Sequence, residues 1–368
     1  MDNNLFTIIL TLYDRGEYTK RWLEWMDYNK CPYKILIADG GKDEKIESYL
    51  KDTKHFPNLN YEYIRYPFDK DFPTFYDKFN DVVHRVSTPY MMLCDNDDFI
   101  ILDNIAKKIS FLEQNKDYSC CSGKVIHFDL LSKVHNTVTY SSTVNFLNHT
   151  FLHSIENDNE YLRIMEMLQH GYANLWYGVL RTKYAKEITS QIQDNNPLVL
   201  TTLEYYVYLM LGIFGKVKVF DDIHYVRQLY TSQAAQIPFE GDNNILIRLL
   251  SPSFQKDYAK LKHTIFQHLM KSRIKVDKEV YDKDFNVSYE KNIPIFLKQQ
   301  LIKKHRNFRL LKNSILKKRH KTISKMIILF QDMTGLKITN LISQNTHKDI
   351  ACNEVVNFIQ LSMKDKND

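Results

Sequence analysis

Short apolar runs alternate with longer amphipathic stretches through the first hundred residues, and this alternation constrains the fold more than any other feature of the chain. Four runs have the length and composition of buried strands: residues 5–12, 34–38, 61–66 and 90–94. Three stretches between them carry apolar residues at helical spacing: 18–28, 43–51 and 75–86. Repeated strand–helix units predict an α/β fold with a mostly parallel sheet flanked by helices.

The rest of the chain divides into a mixed part and a helical part. Residues 124–129 and 134–140 predict a hairpin. Strands are expected at 176–181 and 216–220, with a helix at 198–214 between them. Beyond about residue 245 helical patterns dominate. We therefore expect an α/β domain over residues 1–242 and a basic, helical C-terminal region over residues 243–368.

Positive charge is concentrated in one part of that C-terminal region. Residues 291–331 hold twelve Lys or Arg and no Asp or Glu, so they carry +12 in a chain whose net charge is +6. Apolar residues are interleaved with these cations, which is typical of a helix on an anionic membrane surface. A helix covering the acidic remainder of the chain would have the same composition. Nucleic acid attracts the same charges but is the least favoured partner.

Several classes of protein are excluded by features that the sequence lacks. The first apolar run follows acidic and amide residues, unlike a signal peptide, and no apolar run reaches the roughly 18 residues of a membrane span. Five cysteines without a CxxC pair predict free thiols. GxxxxGK[ST], GxGxxG, HExxH and GxSxG motifs are absent. We expect a cytoplasmic protein, soluble or peripheral on the inner face of the membrane.

The most informative cluster is acidic and directly follows the fourth predicted strand. Asp95, Asp97 and Asp98 place three carboxylates within four residues. Carboxylates this close repel one another, and a hard divalent cation such as Mg²⁺ or Mn²⁺ relieves the repulsion. Such an ion also bridges nucleotide phosphates and neutralises a departing diphosphate. The alternative is an acidic turn in which Asp97 or Asp98 caps the next helix.

Two further clusters follow other predicted strands, where α/β sheets bind their ligands. Asp39 and Gly40 follow the second strand; the carboxylate can accept hydrogen bonds from a nucleobase or ribose, and the glycine allows close backbone approach. Thr11, Tyr13 and Arg15 follow the first strand. The tyrosine ring can stack on a base, and the arginine can neutralise phosphate or pair with Asp39. Ordinary solvated turns use the same residue types.

In order and spacing these motifs resemble the nucleotide-sugar-binding half of a family 2 glycosyltransferase of the bacterial surface-glycan type, with the GT-A fold. The resemblance covers about residues 5–230. It includes Thr88-Pro89-Tyr90 before the acidic motif, residues 176–182, and residues 215–220 followed by 225–227. There are two departures. Ala38 stands where the family has the first acid of an Asp-Asp-Gly turn, and the Gln-x-x-Arg-Trp motif of processive polymerases is absent, which argues against a membrane-embedded synthase.

The resemblance implies a metal-dependent, inverting transfer of one sugar from a nucleoside-diphosphate sugar to a hydroxyl of a glycan or lipid-linked acceptor, with a UDP-sugar favoured. The residues it implies for the nucleotide sugar are Thr11, Tyr13, Arg15, Asp39, Gly40, Lys78, Asp95 and Asn96. The residues it implies for Mn²⁺ or Mg²⁺ are Asp95, Asp97, Asp98 and His224. Lys78 belongs to the helix before the acidic motif, from which it would approach the diphosphate.

An inverting transfer needs one general base that deprotonates the acceptor hydroxyl. In the family an acid that opens the helix before the last core strand supplies it, which implies Glu204, with Asp194 as the reserve. A second function stays open: a Mg²⁺-dependent nucleotidyl or phosphoryl transferase that uses the same aspartates. A third is a non-catalytic protein that docks on membrane or nucleic acid.

Overall fold

A computed structural model describes residues 3–130, 144–150, 152–171, 174–229, 251–272, 274–291, 293 and 350–364. The strands are β1 (Phe6–Leu12), β2 (Lys34–Asp39), β3 (Tyr61–Arg65), β4 (Tyr90–Cys94), β5 (Phe99–Ile100), β6 (Tyr118–Leu130), β7 (Val144–Thr150), β8 (Val179–Arg181) and β9 (Lys216–Gln228). The α-helices are α1 (Gly16–Tyr28), α2 (Glu44–Lys51), α3 (Phe72–His84), α4 (Asp103–Gln114), α5 (Glu160–His170), α6 (Thr182–Asn195), α7 (Leu200–Phe214), α8 (Pro252–Lys271), α9 (Lys278–Glu290) and α10 (Ile350–Lys364).

The strands form one sheet in the order β3-β2-β1-β4-β8-β6-β9-β5, with β7 paired to β6. The first four neighbours pair in parallel, β8 is antiparallel to both β4 and β6, and β9 is parallel to β6. Of the nine strands, β5, β7 and β8 run opposite to the other six. This architecture confirms the predicted fold class, a GT-A-type α/β sheet that is mostly parallel and flanked by helices, with C-terminal helices.

The first four strands lie within one residue of their predicted bounds. β1, β2 and β4 are short apolar runs that the sheet buries on both faces, whereas β3, at the edge of the sheet, is only partly buried. The prediction of a strand at 176–181 is wrong at its start. Residues Leu175–Tyr177 form a 3-10 helix, and the strand begins only at Val179. A Cβ at the intervening Gly178 would lie 2.8 Å from Cys121 O, so glycine allows the chain to pack closely onto β6 there.

Two other strand predictions differ from the structure in extent. The strand predicted at 216–220 continues to Gln228, because β6 pairs with it as far as that residue. Of the predicted hairpin, the first arm, 124–129, lies within β6, and the second arm, 134–140, lies outside the described residues. The strand that pairs antiparallel with β6 is β7.

Capping residues place two helix starts beside the sheet. Asp43 caps α2 by accepting hydrogen bonds from the backbone amides of Lys45 and Ile46. Asp71 caps α3 by accepting one from the amide of Thr74. Aspartate is among the most favourable N-cap residues because its carboxylate satisfies free amides of the first turn. Since α2 follows β2 and α3 follows β3, both helix N-termini lie on the side where these strands end.

Two clusters of apolar side chains cover the two faces of the sheet. Along β1, Phe6, Ile8 and Leu10 belong to one cluster and Ile9 belongs to the other, as the alternation of a strand requires. The C-terminal helices contribute to both. Apolar residues of α8 and α9 join the cluster that contains α7, and α10 joins the cluster that contains α1. The domain boundary near residue 242 stays a prediction, and helices beyond it share apolar cores with the sheet.

On α10, Phe358 packs its ring 5.1 Å from the ring of Trp25 and 6.0 Å from that of Phe99, measured between centroids. Trp25 belongs to α1, and its indole Nε1 donates to the carbonyl of Ile100 at 2.9 Å. The last described helix is therefore seated on α1 and β5.

All five cysteines are free and buried, in agreement with the sequence. Within the described ranges no helix has both the length and the apolar character that a bilayer crossing demands. Of the basic segment 291–331, only Lys291 and Ile293 are described. The predicted contacts of that segment with membrane or nucleic acid lie outside the described residues.

Candidate active site

The ends of three neighbouring parallel strands meet at one edge of the sheet. Leu12 of β1 is in register with Asp39 of β2, and Leu10 of β1 is in register with Cys94 of β4. The three polar clusters singled out in the sequence lie at these strand ends or directly after them. The sheet therefore brings all three to its carboxyl edge, where open α/β sheets bind ligands.

Three aspartates after β4 form the acidic centre of this edge. One carboxylate oxygen from each of Asp95, Asp97 and Asp98 lies within 4.8 Å of the other two. Asp97 is 7% exposed and Asp98 is 1% exposed, whereas Asp95 is more open to solvent. In the part of the chain that the structure describes, no other three acidic, His or Cys side chains lie close enough to hold one ion.

Burial and mutual repulsion make the charged forms of these acids costly. Burial, followed by the charge of Asp97, raises the pKa of Asp95 and raises that of Asp98 well above its usual range. Asp98 Oδ2 is also buried and accepts no hydrogen bond from the described residues. A divalent cation would offset the repulsion and satisfy that oxygen. The residues present thus fit a hard ion such as Mn²⁺ or Mg²⁺.

The aspartates lie in a turn and do not start a helix. The short strand β5 follows them, and α4 begins only at Asp103, with Leu102 as its N-cap. The alternative in which Asp97 or Asp98 caps the next helix is therefore wrong. Asp98 Oδ1 instead accepts a hydrogen bond of 2.8 Å from the backbone amide of Gln228 on β9.

Two arginines from the first strand–helix unit contact this turn. Arg15 has a φ of 66°, a left-handed conformation, and its Nη2 donates to Asp97 Oδ2 at 2.8 Å. Arg21 is 0% exposed and donates to the backbone carbonyl of Asp97 at 2.6 Å and to Gln228 Oε1 at 2.7 Å. The expected pairing of Arg15 with Asp39 is wrong, since the strand order places Arg15 beside the acidic turn.

Two tyrosines hold Asp95. The Tyr177 hydroxyl donates to Asp95 Oδ2, and the Tyr225 hydroxyl accepts a hydrogen bond of 3.1 Å from the Asp95 amide. The two rings stack with centroids 4.5 Å apart and planes 12° apart. The orientation of Asp95 is thus set by two tyrosines, Tyr225 from β9 and Tyr177 from the 3-10 helix before β8.

Asn96, which was predicted to bind the nucleotide sugar, is 5% exposed. Its Nδ2 donates to the hydroxyl of Thr19 on α1 at 3.0 Å. In the structure its side chain ties the acidic turn to α1.

Asp39 is engaged by the fold on both carboxylate oxygens. Oδ2 accepts hydrogen bonds from the Tyr63 hydroxyl at 2.7 Å and from Arg65 Nη1 at 2.9 Å, and Oδ1 accepts one from the Gly41 amide at 2.8 Å. The side chain is only 1% exposed. Its basic partner is therefore Arg65, and its role as a nucleoside acceptor stays a prediction.

The glycine turn after β2 is packed closely on its neighbours. The Gly40 amide donates to the carbonyl of Leu12 at 3.1 Å, and a Cβ on Gly40 would collide with the carboxylate of Asp69. Lys78 Nζ donates to that same carboxylate and, at 3.0 Å, to the Leu12 carbonyl. Lys78 is 2% exposed, and burial lowers its pKa. Lys78 thus reaches the predicted edge of the sheet, but its ammonium group is held within the protein.

Partly exposed aromatic rings flank this turn. The ring of Tyr13 lies 5.6 Å from that of Phe68, with the planes 31° apart, and Lys42 Nζ lies 4.0 Å from the centroid of Phe68. Thr11 is partly buried in β1, in register with Ala38. Aromatic faces beside a flexible cation suit a planar base that carries phosphates.

The two predicted general bases lie on helices. Glu204 is partly buried in the second turn of α7, and Asp194 is exposed in the last turn of α6. The start of α7 is held by Asp257 of α8, whose Oδ2 accepts hydrogen bonds from the amides of Leu198 at 2.7 Å and Val199 at 2.9 Å. Neither predicted base belongs to the aspartate group after β4, and the assignment of the base stays a prediction.

His224 does not join the aspartates. It is 0% exposed, and its Nε2 lies 2.5 Å from the carbonyl of Tyr177, an approach that requires Nε2 to donate. Burial lowers the pKa of His224 to about 3, so the ring is neutral. Its neighbour Tyr225 reaches Asp95, and successive residues of a strand point to opposite faces. We therefore leave His224 out of the proposed ligand set.

Four residues of this edge are missing from the predicted set: Arg21, Tyr177, Tyr225 and Arg227. Each lies on an element that is distant from the acidic turn in sequence but contacts it or lies next to it in the fold. The sequence offers one signal for two of them. Side chains alternate between the two faces of a strand, so Tyr225 and Arg227, two residues apart on β9, are expected on the same face.

The chain matches no protein-family model and no curated protein. It is similar to solved glycosyltransferase structures. One is S. aureus TarS 1-349 in complex with UDP-GlcNAc, with 11% identity, a TM-score of 0.47, and coverage of 79% of this chain and 73% of that one. Another is the mannosyltransferase PcManGT from Pyrobaculum calidifontis in complex with GDP-Man and Mn²⁺, with 9% identity, a TM-score of 0.43, and coverage of 96% and 84%.

Proposed function

We propose that this protein is a metal-dependent, inverting glycosyltransferase of the family 2 type. It moves one sugar from a nucleoside-diphosphate sugar, with UDP as the favoured nucleotide, to a hydroxyl of a glycan or lipid-linked acceptor. The observation that carries the proposal is the convergence of Asp95, Asp97 and Asp98 at the edge where the β1 and β2 turns also end.

The aspartates would hold Mn²⁺ or Mg²⁺, and Asp98 supplies a buried oxygen without a partner for it. When bound, such an ion neutralises the charge that develops on the departing diphosphate. The protein's part is to fix the carboxylates. Tyr177 and Tyr225 fix Asp95, and Arg21 fixes the backbone of Asp97.

The nucleoside would lie beside the Gly40–Gly41 turn. Tyr13 and Phe68 offer aromatic faces there, and Lys42 is an exposed cation next to them. The Asp39 carboxylate accepts a hydrogen bond from the Gly41 amide. It would therefore fix the shape of the turn beside the nucleoside, even though its oxygens already have partners in the protein.

The acceptor hydroxyl must lose its proton as its oxygen attacks the anomeric carbon. We assign this proton to Glu204, whose helix start is held in place by Asp257. Asp194 is the reserve candidate.

The test is a panel of UDP- and GDP-sugars with Mn²⁺, scored for thermal stabilisation and for slow hydrolysis of the donor without acceptor. We expect one nucleotide class to stabilise the protein and to be hydrolysed to nucleoside diphosphate. Release of pyrophosphate or of inorganic phosphate would point to nucleotidyl or phosphoryl transfer and would contradict the proposal.

Two variants make the test specific. Asp95→Ala and Asp97→Ala should abolish hydrolysis while far-UV circular dichroism stays that of the wild type. Asp77→Ala serves as the matched control because it removes an exposed aspartate of α3, which accepts a hydrogen bond from Gln193. Full activity of Asp95→Ala and Asp97→Ala in the presence of EDTA would refute the metal assignment.

A further inference from the structure

Arg227 lies beside the acidic turn, on the same strand face as Tyr225. Residues two apart on a strand share a face, and Tyr225 uses that face to reach the Asp95 amide at 3.1 Å. The guanidinium carbon of Arg227 lies 5.5 Å from the centroid of the Tyr177 ring, whose hydroxyl is bonded to Asp95 Oδ2. Gln228, the next residue, bonds Asp98. These contacts place the Arg227 cation next to the three aspartates.

The hydrogen-bond donors of the Arg227 guanidinium are not engaged by the described residues. Within the described ranges, Arg227 makes no ion pair within 4.0 Å and donates no side-chain hydrogen bond. The other arginines of this edge are committed: Arg15 to Asp97, Arg21 to Asp97 and Gln228, and Arg65 to Asp39. A guanidinium has five N–H donors, and those of Arg227, which is only partly buried, are open to water or to the phosphate oxygens of a ligand.

The stacked rings of Tyr177 and Tyr225 restrict where this cation can go. The Tyr177 face attracts the guanidinium, and Tyr177 itself is fixed by its bond to Asp95. The pKa of Arg227 is raised well above its usual range, first by Tyr177 and then by the nearby Asp98 and Asp95, so its neighbours favour the charged form. The cation is thus held in place without being neutralised by a direct pair.

The geometry points to Arg227 as a second, protein-borne cation for the leaving diphosphate. In the transfer, the bond between the anomeric carbon and the diphosphate oxygen breaks and its electron pair stays on that oxygen. The acceptor oxygen forms the new bond and its proton goes to the general base. Arg227 only donates hydrogen bonds to the phosphate oxygens, in bidentate geometry, and stabilises the charge that grows there. This inference rests on the proposed function.

The test compares Arg227→Gln and Arg227→Lys with the wild type and with Arg85→Gln. Arg85 lies beyond the end of α3, pairs with Asp81 and is half exposed, so its variant is a matched control for loss of one arginine. Affinities for uridine, UMP and UDP are measured calorimetrically with Mn²⁺, the affinity for Mn²⁺ is measured alone, and donor hydrolysis is followed separately.

We expect Arg227→Gln to weaken UDP binding roughly 10- to 100-fold and to leave uridine binding unchanged. Hydrolysis should fall about 100-fold at saturating donor, because the lost interaction strengthens as charge develops. Arg227→Lys should recover part of the UDP affinity, since lysine keeps the positive charge but cannot donate two parallel hydrogen bonds as the planar guanidinium does.

A purely structural or charge-balancing role gives a different pattern. Removing the cation would then tighten Mn²⁺ binding and leave the ratio of UDP to uridine affinity as in the wild type. That result would overturn the inference while wild-type binding and hydrolysis still supported the proposed function. Failure of the wild type itself to bind or hydrolyse any nucleotide sugar would overturn both.

Discussion

Arg15 Nη2 and Asp97 Oδ2 lie 2.8 Å apart, and their side chains are only 13% and 11% exposed. The fold thus supplies its own cation to one of the three aspartates that we assign to the metal. Because two cations near one carboxylate repel each other, Arg15 and a bound ion compete for Asp97.

We therefore expect Arg15→Gln to bind Mn²⁺ more tightly than the wild type when no nucleotide is present. The protein should also become more dependent on Mn²⁺ for thermal stability, because Asp97 loses its partner in the metal-free state. Calorimetric titration and melting curves with and without EDTA measure both effects. Weaker Mn²⁺ binding in this variant would mean that Arg15 and the ion do not share Asp97.

Glu204→Gln should keep donor binding and lose most turnover. The amide preserves shape and hydrogen bonding but cannot take the acceptor's proton, so we expect a loss of about 10²- to 10⁴-fold in kcat. Asp194→Asn is the matched control on the neighbouring helix. A loss confined to Asp194→Asn would transfer the role to that residue.

Asp257 of α8 should stabilise the start of α7, the helix that carries Glu204. It is 2% exposed and accepts the amides of Leu198 and Val199, and Val199 has no side chain able to cap α7. Asp257→Ala should lower the free energy of unfolding by about 1–3 kcal/mol, because two backbone amides just before α7 lose their acceptor. Asp257→Asn keeps an acceptor oxygen and should cost less. Chemical denaturation of both variants gives the comparison, and equal losses would contradict this role.

His224 predicts a pH dependence of stability. Its pKa is lowered to about 3 in the folded protein, from a usual 6.5. As the pH falls, the histidine is therefore protonated in the unfolded chain before it is protonated in the folded protein. The contribution of His224 to stability is therefore complete above pH 6.5. It is lost as the pH falls towards 3, at up to about 1.4 kcal/mol per pH unit.

His224→Gln keeps an amide donor for the Tyr177 carbonyl and removes the titration. We expect its free energy of unfolding to fall less steeply with decreasing pH than that of the wild type, whatever the absolute difference between them. Mn²⁺ affinity measured on the same variant should be unchanged. A clear loss of Mn²⁺ binding would restore His224 as a ligand.

The strands that deliver the site could be predicted because their signal is local. β1, β2 and β4 are continuous apolar runs, and the residues after each run are polar, so Asp39 and Asp95 could be placed at strand ends from sequence alone. Parallel pairing of consecutive units then brings those ends together.

The residues that fix the site could not be placed because they depend on strand order. Tyr177 and Tyr225 reach Asp95 only because β8, β6 and β9 are added beside β4 in an order unlike that of the chain. The destination of each charged side chain is likewise non-local. Arg15 meets Asp97 across 82 positions, and Arg65 takes Asp39 across 26. A sequence pattern indicates which face of a strand or helix a residue lies on, but it does not identify the residue with which that side chain pairs.

The seat of α10 on Trp25 and Phe99 has a practical consequence for shortened forms of the protein. Phe358 packs on the rings of Trp25 and Phe99 close to the acidic turn, since Phe99 directly follows Asp98 and Trp25 donates to the Ile100 carbonyl. Cutting the chain at residue 242 would leave those rings bare to water. We expect such a fragment to self-associate, because a newly exposed apolar patch of this kind promotes contacts between copies.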